Sequence, residues 1–467
     1  MEFEYKCPSL WKGMDDATRE AVFAYGERYK AFLDAGKTER ECAQTIIRMA
    51  HDNGFVDFAD VIKSGQAPAS GTKIVYNHKN KAAVLFVVGE RPLEEGMHII
   101  GSHIDAPRLD LKGHPLYENG ELALLKTHYY GGIKKYQWTC MPLALHGLVH
   151  TADGTPVNVR FGDEAGDPVL YITDLLPHLS KSQNEKKLSD AITAEQLNAI
   201  IGHIPLDDED EKEPIKAAIL HALHDKYGIC EEDLIISELE LVPAQNAVDV
   251  GLDRGLIAAH GHDDRSCTYA ALEAILNVSD IPERTAVCLF VDKEEIGSVG
   301  NTSMGARYFE NLLAELFALA GKHDTELSVR RALAASRVLS ADVTAALDPT
   351  FPEVMDRRNT AFLGKGVSMC KFTGARGKSG SNDANAEFLA ELRRTFKHHN
   401  VPWQTGELGR VDEGGGGTIA YILADRGAEV VDCGVPMLSM HAPVELVSKA
   451  DTYFSMRAYR AFFEGVR

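Results

Sequence analysis

The 467-residue sequence has no apolar run long enough to span a bilayer; its best, residues 82–88, is the length of a strand. Basic residues are scarce, with 49 Lys+Arg against 69 Asp+Glu and a formal charge of −20. A surface so negative repels phosphate backbones and anionic lipid, so neither nucleic acid nor membrane is an expected partner. The 8 cysteines are scattered and form no C-x-x-C pair, which suits packed thiols in a reducing cytosol. The N-terminus carries no basic segment followed by an apolar one, so no export signal is expected and the expected compartment is the cytoplasm.

Several catalytic motifs are missing too. There is no H-E-x-x-H helix for a single zinc ion. Gly377-Lys378-Ser379 resembles the end of a phosphate loop, but Phe372 stands where that loop needs its first glycine. The same stretch fails as a G-x-S-x-G elbow, because Ser381 replaces the last glycine. Nucleotide hydrolysis and serine-ester chemistry lose their support.

What is present is a large apolar fraction, 45%, on a chain too long for one ordinary domain. Apolar spacing predicts an early helix through Val22, Tyr29 and Leu33, and Thr38 with Glu41 forms a capping-box pattern for a second. Strands are expected at 82–88 and 97–100, then at 157–161, with a capped helix from about Thr193. The acidic run 207–211 reads as a solvated loop. After about residue 245, strands (286–291, 338–339, 430–431) alternate with helices (269–275, 386–396, 419–424), the pattern of an α/β layer with a largely parallel sheet.

Chemistry-bearing residues gather where apolar runs stop. His103 and Asp105 follow the first such run, Asp292 to Gly297 with Glu294 and Glu295 follow residues 286–290, Asp342 follows 338–339, and His441 follows 430–438. A fifth place, His262-Asp263-Asp264-Arg265, precedes an apolar helical stretch. Ligand sites in open α/β sheets lie at the carboxyl ends of strands, so these side chains are candidates for one cleft. Singly, each is ordinary: a histidine after a strand is usually hydrogen-bonded scaffold, and Asp263 or Asp264 reads equally well as a helix cap. Jointly, two histidines and three carboxylates form a suitable ligand set for a dinuclear zinc centre.

At residues 101–105, 263–272, 292–298, 340–342, 412–419 and 434–441 the chain resembles the aspartyl aminopeptidase and vacuolar aminopeptidase I family of cocatalytic zinc exopeptidases. The resemblance implies that His103 and Asp342 hold one metal, Glu295 and His441 the other, and that Asp263 bridges them, Asp264 falling where the family often has Asn. It implies Glu294 as the general base and Asp105 as the partner of His103. Two zinc ions per subunit are implied, although cobalt or manganese suits the same ligands. The implied fold is α/β: a zinc-peptidase-like three-layer α/β/α catalytic domain with a mixed, largely parallel sheet, interrupted by an inserted β-rich dimerisation domain. The implied assembly is a dimer-based homo-oligomer, a dodecamer in the family.

Spacing argues for an interruption on its own. His103 and Asp263 are 160 residues apart, far more than a loop supplies, so the segment between them must fold as a unit. The expected domains are 1–112 and 246–467 for catalysis and 113–245 for the insert. The expected substrate is a short peptide with a free N-terminus. Its preferred first residue stays open between acidic and neutral, because Val343-Thr344-Ala345-Ala346-Leu347-Asp348 lacks the histidines of aspartyl-specific members; Arg376 and Lys378 offer positive charge but also read as plain loop cations. Asp412 and Gly416, in the Asp412-Glu413-Gly414-Gly415-Gly416-Gly417-Thr418 stretch, are candidates for substrate contact. A related zinc amidohydrolase or deacylase, and an idle assembly protein of the same fold, are the alternatives.

Overall fold

The computed structural model describes residues 4–466. The chain divides into two compact units: residues 4–105, 247–440 and 445–466 form the first, and residues 106–246 with 441–444 the second. Among the described residues no helix is long and apolar enough to cross a membrane.

The first unit is built on a nine-stranded mixed sheet. Its centre is a parallel set, Ala286–Val291, His98–His103, Arg337–Ser340 and Glu429–Gly434, in that spatial order. Antiparallel neighbours flank this set, Ala82–Val87 on one side and Val367–Cys370 on the other. The central strands are apolar on both faces because both are covered. Val75, Leu85, Ile100, Cys288, Phe290 and Val431 meet helices Glu39–Asp52, His262–Leu276 and Lys449–Glu464. Ile74, Val84, Phe86, Ile99, Val287 and Leu289 meet helices Tyr308–Leu319 and Thr325–Ala335. Burying each such side chain stabilises the fold by roughly 1.5–3 kcal/mol.

The second unit carries a seven-stranded antiparallel sheet, in which strand Glu238–Pro243 pairs with both Arg108–Asn119 and Pro142–His150. Its core gathers Leu109, Leu125, Trp138, Leu145, Leu197 and Leu241, and helix Pro214–Tyr227 adds Ile215 and Leu223.

Several expectations are corrected. The strand expected at 97–100 continues to His103, because Gly101, Ser102 and His103 keep pairing with Leu289, Phe290 and Val291. Thr193 does form a capping box, but only for the single turn Ala194–Gln196, since Leu197 and Ala199 turn into the core and the chain resumes as strand Asn198–Gly202. Residues 430–438 are two strands in different sheets, Glu429–Gly434 and Pro436–Leu438. Gly434 sits at the division, where a Cβ would fall 1.8 Å from the carbonyl oxygen of Asp342. Strand Arg108–Asn119 lies within the second unit, which begins at 106.

Candidate metal centre

The parallel strands bring their carboxyl ends into register: His103 stands beside Val291, Gly101 beside Ser340, and Ser340 beside Asp432. His103 is 1% exposed. Its Nδ1 lies 3.0 Å from the Asp105 carbonyl oxygen and 3.3 Å from that residue's carboxylate, and its Nε2 lies 3.1 Å from Oδ1 of Asp263. Burial opposes a charged ring, yet hydrogen bonds to Asp105 and Asp263 and the nearby Glu294 outweigh it and hold the His103 pKa well above its ordinary value.

Asp105 does more than face an imidazole. Its two carboxylate oxygens accept the backbone N–H groups of Glu294 and Glu295, each at 3.2 Å. One buried carboxylate therefore orients His103 and anchors the 294–295 backbone. Glu294 keeps its side chain partly exposed, with Oε2 at 3.9 Å from Nε2 of His103.

Asp263 and Asp264 interrupt the start of helix His262–Leu276, and the peptide bond between them is cis. Neither caps the helix; the capping position is Gly261 and makes no side-chain bond. Asp264 accepts the backbone N–H of His103 at 3.2 Å, and the Asp263 N–H donates to Glu445 at 3.1 Å. Arg265, fully buried, donates to the carbonyls of Ile104 and Lys37 at 3.1 and 3.0 Å, tying the turn after His103 to the cap of helix Glu39–Asp52.

One donor group results within the first unit, with ligand atoms within 4.8 Å of one another: His103, Asp263 and Asp342; Glu295 belongs to the same unit and His441 to the second. His441 lies in the short turn that joins strands Pro436–Leu438 and Glu445–Ser448, and its Nδ1 is 2.8 Å from the Gly132 carbonyl oxygen. The group combines one imidazole with two carboxylates, the nitrogen and oxygen donors that zinc takes. The crowding is electrostatically costly without a cation. Burial and the carboxylates of Asp264, Glu294 and Asp263 push the Asp342 pKa well above the carboxylate range, against the pull of His103. The residues thus fit a metal centre.

Asp412 and Gly416 lie outside that group, in the glycine-rich loop ahead of helix Ala420–Ala424. That loop is fixed by contacts the sequence does not advertise. The Gly416 carbonyl accepts the N–H of Gly374 at 2.6 Å, and a Cβ on Gly415 would fall 2.4 Å from the Gly374 carbonyl oxygen. Its far end is held by the Thr418 hydroxyl, which donates to Asp432 at 2.6 Å. Asp432, inside strand Glu429–Gly434, lacks the strand-end signal that marks His103 and Asp342. Burial pushes its pKa up to about 6, against the Thr418 bond. Lys378 is occupied, with Nζ 2.9 Å from Asp383 and 4.0 Å from the centre of the Phe372 ring.

The family profile described as "Aminopeptidase I zinc metalloprotease (M18)" matches residues 32–463. A "Probable M18 family aminopeptidase 1" of Clostridium acetobutylicum is 50% identical over 459 residues, 98% of each chain. The crystal structure of an M18 aminopeptidase from Thermotoga maritima superposes with a TM-score of 0.94 at 42% identity, covering 99% of this chain and 100% of that one. That of aminopeptidase I from C. acetobutylicum gives 0.92 at 45% identity, covering 98% and 99%. The fold is that of a zinc metallopeptidase, and the chain belongs to the M18 family. It is an aminopeptidase, a hydrolase of peptide bonds.

Proposed function

We propose that the protein removes the N-terminal residue of short peptides at a dinuclear zinc centre, with His103 and Asp342 on one ion, Glu295 and His441 on the other, and Asp263 on both. The observation that carries this reading is the gathering of His103, Asp263 and Asp342, an imidazole and two carboxylates, into one buried donor group. Cobalt or manganese would suit the same donors. When bound, the cations supply Lewis acidity, polarising the scissile carbonyl and acidifying a water. Glu294, beside the donors but not in their group, takes the proton of the attacking water and returns it to the departing amine. Asp105 holds His103 in one orientation and fixes the Glu294 and Glu295 backbone, so that base and ligand share one support. The loop bearing Asp412 and Gly416 offers backbone groups to the substrate's first residue. With Lys378 paired to Asp383, a neutral first residue is favoured over an acidic one.

The apolar cores on both sides of the nine-stranded sheet support a three-layer α/β/α catalytic domain. The second unit is read as an inserted dimerisation domain of a homo-oligomer, because Val169, Leu175, Leu176, Leu179 and Leu188 stand at least 47% exposed there. A cytoplasmic location fits this reading.

The test is Glu294→Gln, assayed on free and N-acetylated peptides. Zinc content should be kept and turnover of the free peptide should fall by about 10²–10⁴-fold, the span of general-base catalysis. Near-parental turnover would remove Glu294 from the mechanism, and equal rates on the acetylated peptide would favour the deacylase alternative.

A further inference from the structure

Strand Ala286–Val291 runs into Asp292 and Lys293, two residues to which the chemistry above gives no task. Asp292 is 1% exposed. The Lys293 ammonium donates to Asp292 Oδ2 and to the Thr302 hydroxyl, both at 2.7 Å, and that hydroxyl donates to the same Asp292 oxygen at 2.6 Å. The triangle is closed by backbone as well: the Lys293 N–H donates to Asp292 Oδ1 at 2.8 Å, and the Asp292 N–H to the Thr302 carbonyl at 3.2 Å. Lys293 itself is left-handed, with φ 66, a conformation that a non-glycine residue holds only when its surroundings enforce it. Gly300 leaves the room this needs, since a Cβ there would fall 2.9 Å from Cδ of Lys293. The Lys293 carbonyl then accepts the Ser298 N–H at 2.7 Å, closing the loop that carries Glu294 and Glu295.

That loop is therefore gripped twice, by Asp105 on the N–H groups of Glu294 and Glu295 and by the hooked lysine just before them. We infer that Lys293, held by Asp292 and Thr302, is a positioning residue for the general base: its enforced turn aims the Glu294 carboxylate, while Asp105 secures the backbone of Glu295. The inference rests on Glu294 being that base. Thr302 is the informative position. Its hydroxyl joins both partners, and valine removes the hydroxyl while keeping the shape and the Lys293 charge.

The experiment measures kcat, KM and zinc content for Thr302→Val, Thr302→Ser, Lys293→Met and Glu294→Gln on a peptide with a free N-terminus, in saturating zinc. Thr302→Val and Lys293→Met should lower kcat by up to about 10²-fold, the cost of a misplaced catalytic group. KM and zinc content should stay within about twofold of parent for both, and Thr302→Ser should keep near-parental kcat by restoring the hydroxyl. Parental kcat in Thr302→Val beside an inactive Glu294→Gln overturns the hook alone. A fall in kcat matched by zinc loss also overturns it, making the triangle part of the metal scaffold. An active Glu294→Gln overturns the base assignment and the hook with it.

Discussion

His103 and Asp263, 160 residues apart in the chain, meet through Nε2 and Oδ1 at 3.1 Å. The contact joins a strand end to a helix start, and Asp263 is the carboxylate proposed to hold both ions. Its removal should therefore differ from the removal of a residue that would hold only one. Asp263→Ala should lose both zinc ions and Asp342→Ala one, read by elemental analysis after gel filtration. Equal losses from the two variants would contradict a shared carboxylate.

Asp432 sets a pH dependence of stability. Its folded pKa, raised to about 6 by burial, lies above the ordinary value of 3.8. The folded state thus binds the extra proton between about pH 4 and about pH 6, and this group's contribution to stability falls as pH rises through that window. Asp432→Asn keeps an acceptor for Thr418 without the charge. Its melting temperature should exceed the parent's at about pH 8 and lose that margin towards about pH 5. A margin constant with pH would contradict the raised pKa.

Lys378 gives a substrate prediction. Its ammonium lies on Asp383 and over Phe372, contacts it would have to leave to meet a substrate carboxylate. Lys378→Ala should change the ratio of kcat/KM between glutamyl and leucyl substrates by less than about threefold. A selective loss of about tenfold on the glutamyl substrate, some 1.4 kcal/mol, would make it an acid-binding residue after all.

The capping box at Thr38 is a stability prediction. The Thr38 hydroxyl accepts the Glu41 N–H at 3.2 Å, and Glu41 accepts the N–H groups of Lys37 and Thr38 at 3.1 Å. Thr38→Ala should cost about 1 kcal/mol. The melting temperature should drop by about 2 °C, and a shift below about half a degree would show the cap to be redundant.

These residues also show what could be read in advance. The Thr38–Glu41 pattern names its own partners, and the apolar run ending at Val291 announces a central strand because doubly covered strands read so uniformly apolar. The rule that sites sit at strand ends pointed to His103 and Asp342, and not to Asp432, which lies inside strand Glu429–Gly434. Hidden from it were contacts made to backbone: Asp105 on two N–H groups, Asp264 on the N–H of His103, and Arg265 on two carbonyls. Every residue offers the same main-chain groups, so a sequence cannot say which will be used. The break at Gly434 was equally silent until the Asp342 carbonyl was seen against it.

Anomalous diffraction at the zinc edge, from crystals of zinc-loaded protein, is the most direct check on a paired-cation centre. Two peaks should flank Asp263, one near His103 and Asp342 and one near Glu295 and His441. A single peak, or two that do not share Asp263, would contradict it.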